Sequence, residues 1–211
     1  MNEKIKQALW YQGVSLGATG LVAALILAAA NNATEAAIVR ARADDLQLSL
    51  AQVLPEGFAD NDLLKDSIKL TGSDGAPVEV HRARRKGRVE GLIFEARGKG
   101  YAGPVVLVMA IDRTGRVLGV RVIQHNETPG LGDKVDAAKT EWIHSFEGKS
   151  LGQPSVEHWA VRKDGGDFDQ FAGATITPRA VVGAVKGGLQ LFAARRAEML
   201  GEPRVAATGA Q

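Results

Sequence analysis

The chain has 211 residues, 45% of them apolar and 24% charged, enough for one globular domain with a sizeable core plus an appendage and too apolar for wholesale disorder. Its 26 basic and 24 acidic residues leave a net charge of +2, too small to point to nucleic acid, so the basic run Arg82, Arg84, Arg85, Lys86 and Arg88 reads as a solvated turn. Cysteine is absent, which excludes disulfides, thiolate catalysis, iron–sulfur clusters and zinc sites built on cysteine.

Residues 1–7 form a short N-terminus containing Lys4 and Lys6, and from Gln7 to Thr34 no residue is charged. As a helix, residues 8–30 span roughly 34 Å, enough to cross the hydrocarbon core of a bilayer. Trp10 and Tyr11 sit at its start, where amphipathic rings favour the membrane interface. The first positive charge after the span is Arg40, so the bias of basic residues puts the N-terminus in the cytoplasm and everything after about residue 35 in the periplasm. A retained transmembrane helix is preferred to a signal peptide cut near "LAAANNA", because the apolar run exceeds the usual core of a signal peptide. On either reading the rest of the chain is exported.

Residues 31–55 read as a membrane-proximal helix with an apolar stripe of Ile38, Leu46, Leu50, Val53 and Leu54, stopped by Pro55. The exported domain occupies residues 56–200, and its first twenty residues give no clear signal. From Val78 the period changes. "VEVHRA", "RVEGLIFEA", "PVVLVMAID" and "RVLGVRVIQ" are strands rich in valine and isoleucine, joined by turns at "RRKG" and "DRTG" that suggest antiparallel hairpins. The unbroken apolarity of Val105 to Ile111 predicts a strand covered on both faces. Residues 135–147 read as a short helix and "HWAVRK", residues 158–163, as a further strand. A helix over residues 178–200 closes the domain, with Thr177 as its N-cap, Pro178 as its first residue, and Val181, Val182, Val185, Leu189 and Phe192 on its apolar face. Residues 201–211 are a small, polar, frayed tail. Helices, then strands, then helices make an α+β fold: an antiparallel sheet with flanking helices, preceded by a single N-terminal transmembrane helix.

Familiar catalytic motifs are missing: no nucleophile elbow, no zinc-protease helix, no phosphate-binding loop and no dinucleotide fingerprint. His81, His125, His144 and His158 are scattered, with no pair at metal-ligand spacing, and Asp164, Asp167 and Asp169 do not follow a calcium-loop pattern. No metal is expected. Two stretches remain. "ETPGLGD", residues 127–133, is turn-forced and lets backbone approach a flat partner, although by itself it is equally a structured loop. In "DFDQFAGATITPRA", Thr175 lies two residues before the expected helix start, near the unpaired N–H groups and the positive end of the dipole, a place that favours phosphate. Gly173 and Ala174 clear space beside it. A threonine without a base is a poor catalytic nucleophile, but it suits an acceptor that another enzyme activates.

The Gly-Ala-Thr step with Asp169 six residues before the threonine resembles the flavinylation motif of bacterial FMN-binding subunits. "HNETPGLGDK", "HWAVRKDGGDFDQF" and "GATITPRAVV", together with the N-terminal anchor, resemble the covalent FMN-binding component of the Rnf/Rsx ion-translocating electron-transport complex, its G subunit, over nearly the whole chain. Ala172 departs from the pattern, which usually has serine or threonine three residues before the acceptor. The resemblance implies FMN joined through a phosphoester to Thr175 by a separate periplasmic flavin transferase. It further implies cofactor contacts from Glu127, Thr128, Gly130, Leu131, Gly132, Lys163, Asp169, Gly173, Ala174 and Thr177. As a function it implies an electron-transfer subunit of an inner-membrane complex that couples electron flow between ferredoxin and NAD to ion movement, with the other subunits as partners. The rival readings are a membrane-anchored binding module in which "GATIT" is only a helix cap, and a stand-alone extracellular flavoprotein reductase.

Overall fold

A computed structural model describes residues 9–72 and 75–202; the expected frayed tail lies almost wholly outside the described residues, as does the short N-terminus. The chain divides into two units after Leu46. The apolar span and the segment after it form one continuous helix, α1, Leu9–Gln52. Its stretch Trp10–Glu35 has a mean hydropathy of 2.0, and none of its most apolar window is buried within the protein. The hydroxyls of Thr19 and Thr34 donate to the carbonyls of Ser15 and Ala30, each at 2.8 Å. Both are thereby satisfied inside the helix. Of the expected stripe, Ile38 and Leu46 have side chains outside the described residues, whereas Leu50 and Val53 are buried.

The second unit is built on a five-stranded antiparallel meander, β1 (Ser67–Thr71), β2 (Pro77–Arg85), β3 (Arg88–Lys99), β4 (Pro104–Asp112) and β5 (Val117–Gln124), in that spatial order. β1 lies in the segment that gave no sequence signal. Residues Val105 to Ile111 of β4 are all buried, as a strand covered on both faces demands. On one face Leu107, Met109 and Ile111 join Leu92 and Phe94 under α2 (Ile176–Leu200), which brings Val181, Val185, Leu189 and Phe192 to the same core. α2 lies directly on the sheet because two glycines leave it room. A Cβ at Gly98 would stand 2.3 Å from the Ala180 carbonyl oxygen, and one at Gly188 would stand 2.4 Å from Met109 Sδ. The opposite face is roofed by the residues around the end of α1. There a Cβ on Gly119 would fall 2.6 Å from the Val53 carbonyl oxygen, and one on Gly91 would fall 2.7 Å from the Phe58 ring.

The basic run is only partly a solvated turn. Arg85, Lys86 and Arg88 are exposed, but Arg82 donates from Nε to the Met199 carbonyl at 2.8 Å and from Nη2 to that of Glu198 at 3.0 Å. A cation thus closes the negative end of α2. At the sheet's outer edge, the Val117 N–H donates to the Lys149 carbonyl and the Gly148 N–H to that of Val117, both at 2.8 Å. At the other edge β1 has five residues, with Lys69 exposed.

Two sequence expectations fail between β5 and α2. Residues 135–147 are not one helix but lie within two 3₁₀ turns, Gly132–Val135 and Glu141–Phe146, and the connection between them. Asp136 and Thr140 are extended, and the Thr140 hydroxyl caps the second turn by accepting the Trp142 N–H. Residues 158–163 are not a strand of the sheet. His158 ends the 3₁₀ turn Val156–His158, Arg162 and Lys163 open the turn Arg162–Asp164, and between the two turns a single bridge joins Val161 to Phe168. The strand-like alternation of Trp159 and Val161 serves instead to bury both side chains from an irregular loop.

Candidate functional site

α2 begins two residues earlier than its sequence predicts. Ile176 is its first residue, and Thr175 takes the capping position with φ −72° and ψ −25° and no side-chain capping bond. The Arg179 N–H reaches the Thr175 carbonyl at 3.2 Å. Pro178 does not prevent this start, because the third helical position still lies among the first-turn N–H groups that have no helical acceptor. Thr177 is therefore not the N-cap. It is buried, and its hydroxyl donates to the Glu127 carboxylate fifty residues away in sequence.

Glu127 is the hub of the site. It is buried although its sequence neighbours Asn126 and Thr128 are exposed. Besides the Thr177 hydroxyl on Oε2, its Oε1 accepts the Ala102 N–H at 3.1 Å. A charged acceptor taken out of water needs such donors. Its own N–H donates to His125 Nδ1 at 3.1 Å, which leaves the ring proton on Nε2, 3.2 Å from Asp136 Oδ2. Glycine is required on both sides of the hub. A Cβ on Gly132 would sit 2.9 Å from both Glu127 Oε2 and Thr177 Oγ1, and one on Gly100 would sit 2.5 Å from Glu127 Oε1.

The loop of residues 127–133 closes on itself, since the N–H groups of Leu131 and Gly132 both donate to the Thr128 carbonyl at 3.1 Å. Gly130 is at φ +79° with open space around it, and Leu131 is exposed. A Cβ built on Gly173, also at φ +79°, would lie 3.8 Å from Leu131 Cδ2. The loop thus sits beside the Gly-Ala-Thr step. Asp133, to which the sequence assigns no role, is buried with Oδ1 lacking a hydrogen-bond partner among the described residues.

Lys163 and Asp169 belong to the neighbouring segment, both exposed. Asp169 Oδ1 pairs with Arg162 Nη1 at 2.8 Å, and its carbonyl accepts the Trp142 indole N–H at 2.9 Å. Beside Lys163, Asp164 takes a two-point pair from Arg179 at 2.6 and 2.8 Å, tying this segment to the first turn of α2. The Arg179 hydrogen bonds hold the Asp164 carboxyl below its usual range, and the same bonds raise Arg179. An aromatic cluster supports the segment from beneath. Phe146 and Phe168 stack at 4.7 Å, and Trp142 meets Phe146 and Phe171 edge-on at 5.4 and 5.3 Å.

The arrangement leaves one hydroxyl, on half-buried Thr175, uncommitted to capping at the positive end of α2, which runs from Ile176 to a kink at Arg195 before its last turn. Gly173 and Ala174 precede Thr175, and the chemistry of that place fits a phosphate monoester or diester. Sequence reasoning missed the turn Gly100–Gly103, which Glu127 draws into the site. The available signal was "GKGYAG", two glycines flanking an aromatic between strands.

Residues 100–190 match the family described as FMN-binding domain. The chain is similar to the G subunit of the ion-translocating oxidoreductase complex of Cereibacter sphaeroides, with 50% identity over 188 residues, covering 89% of this chain and 86% of that one. It is also similar to the G subunit of the same complex from Stutzerimonas stutzeri, with 44% identity over 194 residues, 92% of this chain and 85% of that one. Among solved structures, the crystal structure of Shewanella oneidensis NqrC aligns with a TM-score of 0.49 and 23% identity over 70% of this chain and 74% of its own.

Proposed function

The chain belongs to the family of G subunits of ion-translocating oxidoreductase complexes, and on that footing we propose that its FMN is attached by a phosphoester to Thr175, in a domain facing the periplasm. Membership makes it an FMN-binding electron-transfer subunit that works beside the other subunits of such a complex. It is membrane-anchored through α1, which holds the one stretch among the described residues long and apolar enough to cross a bilayer.

The observation that carries the attachment is the division of labour between the two threonines. Thr177 is buried and engaged by Glu127, while Thr175 is half-buried with no capping bond. Bound FMN supplies the redox chemistry, and the protein supplies attachment and orientation. Thr175 Oγ holds the phosphate, whose negative charge the start of α2 stabilises. Glu127, Gly132 and Thr177 hold the loop and helix together, while Thr128, Gly130, Leu131, Gly173 and Ala174 border the cofactor. Lys163 and Asp169 border it from the segment that Arg179 ties to α2. A separate flavin transferase makes the bond, with FAD as the source of FMN.

Two measurements test this reading. Peptide mapping by mass of the protein coexpressed with a flavin transferase is expected to find FMN on the fragment carrying Thr175, with fragmentation placing it at Thr175. Location at Thr177, or flavin released by denaturation, overturns the attachment. In Asp169→Ala the same mapping is expected to show reduced occupancy, because a carboxylate six residues before the acceptor is placed for recognition by the transferase or for orienting the acceptor; full occupancy with limiting transferase removes Asp169 from the reading. For topology, Lys4 and Lys6 before an uncharged span predict that protease added from the periplasmic side digests the chain beyond residue 35. Protection of that region sinks the orientation.

A further inference from the structure

Trp142 and Trp159 both stand in the aromatic cluster, but their indole N–H groups are used differently. Buried Trp159 donates to the Ser150 carbonyl at 3.1 Å. Half-buried Trp142 donates at 2.9 Å to the carbonyl of Asp169, on the segment that leads to the acceptor threonine. The same ring meets Phe171 edge-on at 5.3 Å. Phe171 is the base of a closed turn just before Thr175, since the Ala174 N–H donates to the Phe171 carbonyl at 3.1 Å with Gly173 at φ +79° between them. Among the described residues, the hydrogen bonds, ion pairs and ring contacts that reach residues 169–174 from outside the stretch 161–179 all come from Trp142. The tie from within, Arg162 to Asp169, joins side chains 64% and 63% exposed, and a pair so open to water holds little. Trp142 is itself fixed. Its backbone N–H donates to Thr140 Oγ1 at 3.3 Å, that hydroxyl donates to the Lys134 carbonyl at 2.6 Å, and the ring lies edge-on to fully buried Phe146 at 5.4 Å.

We propose that Trp142 is a positioning residue for flavin transfer, holding the turn of residues 171–174 in the form in which Thr175 meets the transferase. This rests on attachment at Thr175. The transfer joins the FMN phosphorus of FAD to Thr175 Oγ and breaks the pyrophosphate bond. AMP leaves with the bridging oxygen and the bonding electrons, and the hydroxyl proton passes to the transferase or to water. Such a displacement needs the acceptor oxygen in line with the bond that breaks, and a loose acceptor segment adds the entropy of ordering it to the barrier. Trp142 acts through Asp169 and Phe171, whose order it fixes before the transferase arrives. The carbonyl of exposed Asp169 can accept water in place of the indole, so removing the N–H alone loosens the segment without leaving a buried polar group unpaired.

The test follows transfer of FMN from FAD by a flavin transferase to the full-length, unflavinylated protein, comparing the parent with Trp142→Phe and Trp159→Phe. At limiting transferase, Trp142→Phe is expected to accept FMN roughly fivefold more slowly, the effect of one hydrogen bond. It should still reach full occupancy of Thr175 on long incubation, melt close to the parent, and show faster deuterium exchange at the Ala174 amide. Trp159→Phe, which loses the other indole N–H of the cluster, is expected to melt lower yet accept FMN at the parent's rate. Parent-like transfer to Trp142→Phe, slowing that Trp159→Phe shares, or slowing that only follows a loss of folded protein overturns the positioning role and leaves the attachment standing. FMN absent from Thr175 in the parent protein overturns the attachment and the positioning role together.

Discussion

Thr175→Val is expected to abolish covalent flavin and leave the domain folded. The substitution keeps the branched shape and removes only a hydroxyl that makes no capping bond. The stability change should therefore stay within about 0.5 kcal/mol, the usual range for a change away from buried networks. Thr177→Val should behave in the opposite way. Its hydroxyl is buried and serves Glu127, so its loss strands a charged acceptor and costs about 2 kcal/mol, yet the flavin remains on Thr175. In-gel flavin fluorescence after denaturation and thermal melts of both variants check the pair. Covalent flavin persisting in Thr175→Val would falsify the assignment outright.

Glu127→Ala is expected to be the most damaging single change in the site. It removes the acceptor for both the Ala102 N–H and the Thr177 hydroxyl, and it opens a void against Gly100 and Gly132. Two buried hydrogen bonds to a charged group, each contributing about 2 kcal/mol, give a loss of about 4 kcal/mol. In a chain of this size that lowers the melting temperature by roughly 10 °C. Glu127→Gln keeps the shape and one carbonyl acceptor, so it should recover more than half of the loss and retain flavin on Thr175. If Glu127→Ala melts within about 1 kcal/mol of the parent, the carboxylate is not the tie that its geometry indicates.

The strands that build the sheet were legible because burial imposes a simple pattern on them. β4 is covered on both faces and reads as unbroken apolarity, while β2, β3 and β5 are rich in branched residues between recognisable turns. β1 was not legible: five residues at an edge, with one of them fully buried, carry too little pattern. Trp159 and Val161 misled for a related reason, since alternation reports which side chains are buried and not whether a neighbouring strand exists. Thr177 and Pro178 misled because a proline is tolerated anywhere in the first helical turn, so the Thr-Pro step does not fix the register. The site's two loops were visible as motifs. Their connection was not, because it runs through one carboxylate that meets residues from opposite ends of the domain, and sequence spacing carries no trace of that contact.

An open meander has two free margins, and each is a template on which another chain could add a strand. Here the outer margin begins by handing its first residue to the turn at Gly148 and Lys149, and the other margin is short and bears the exposed ammonium group of Lys69. Both are recognised ways of discouraging edge-to-edge pairing. A subunit that folds before it meets its partners passes through a period alone at the membrane. During that interval a covered first residue at one margin and a short, charged strand at the other work against like copies zipping together.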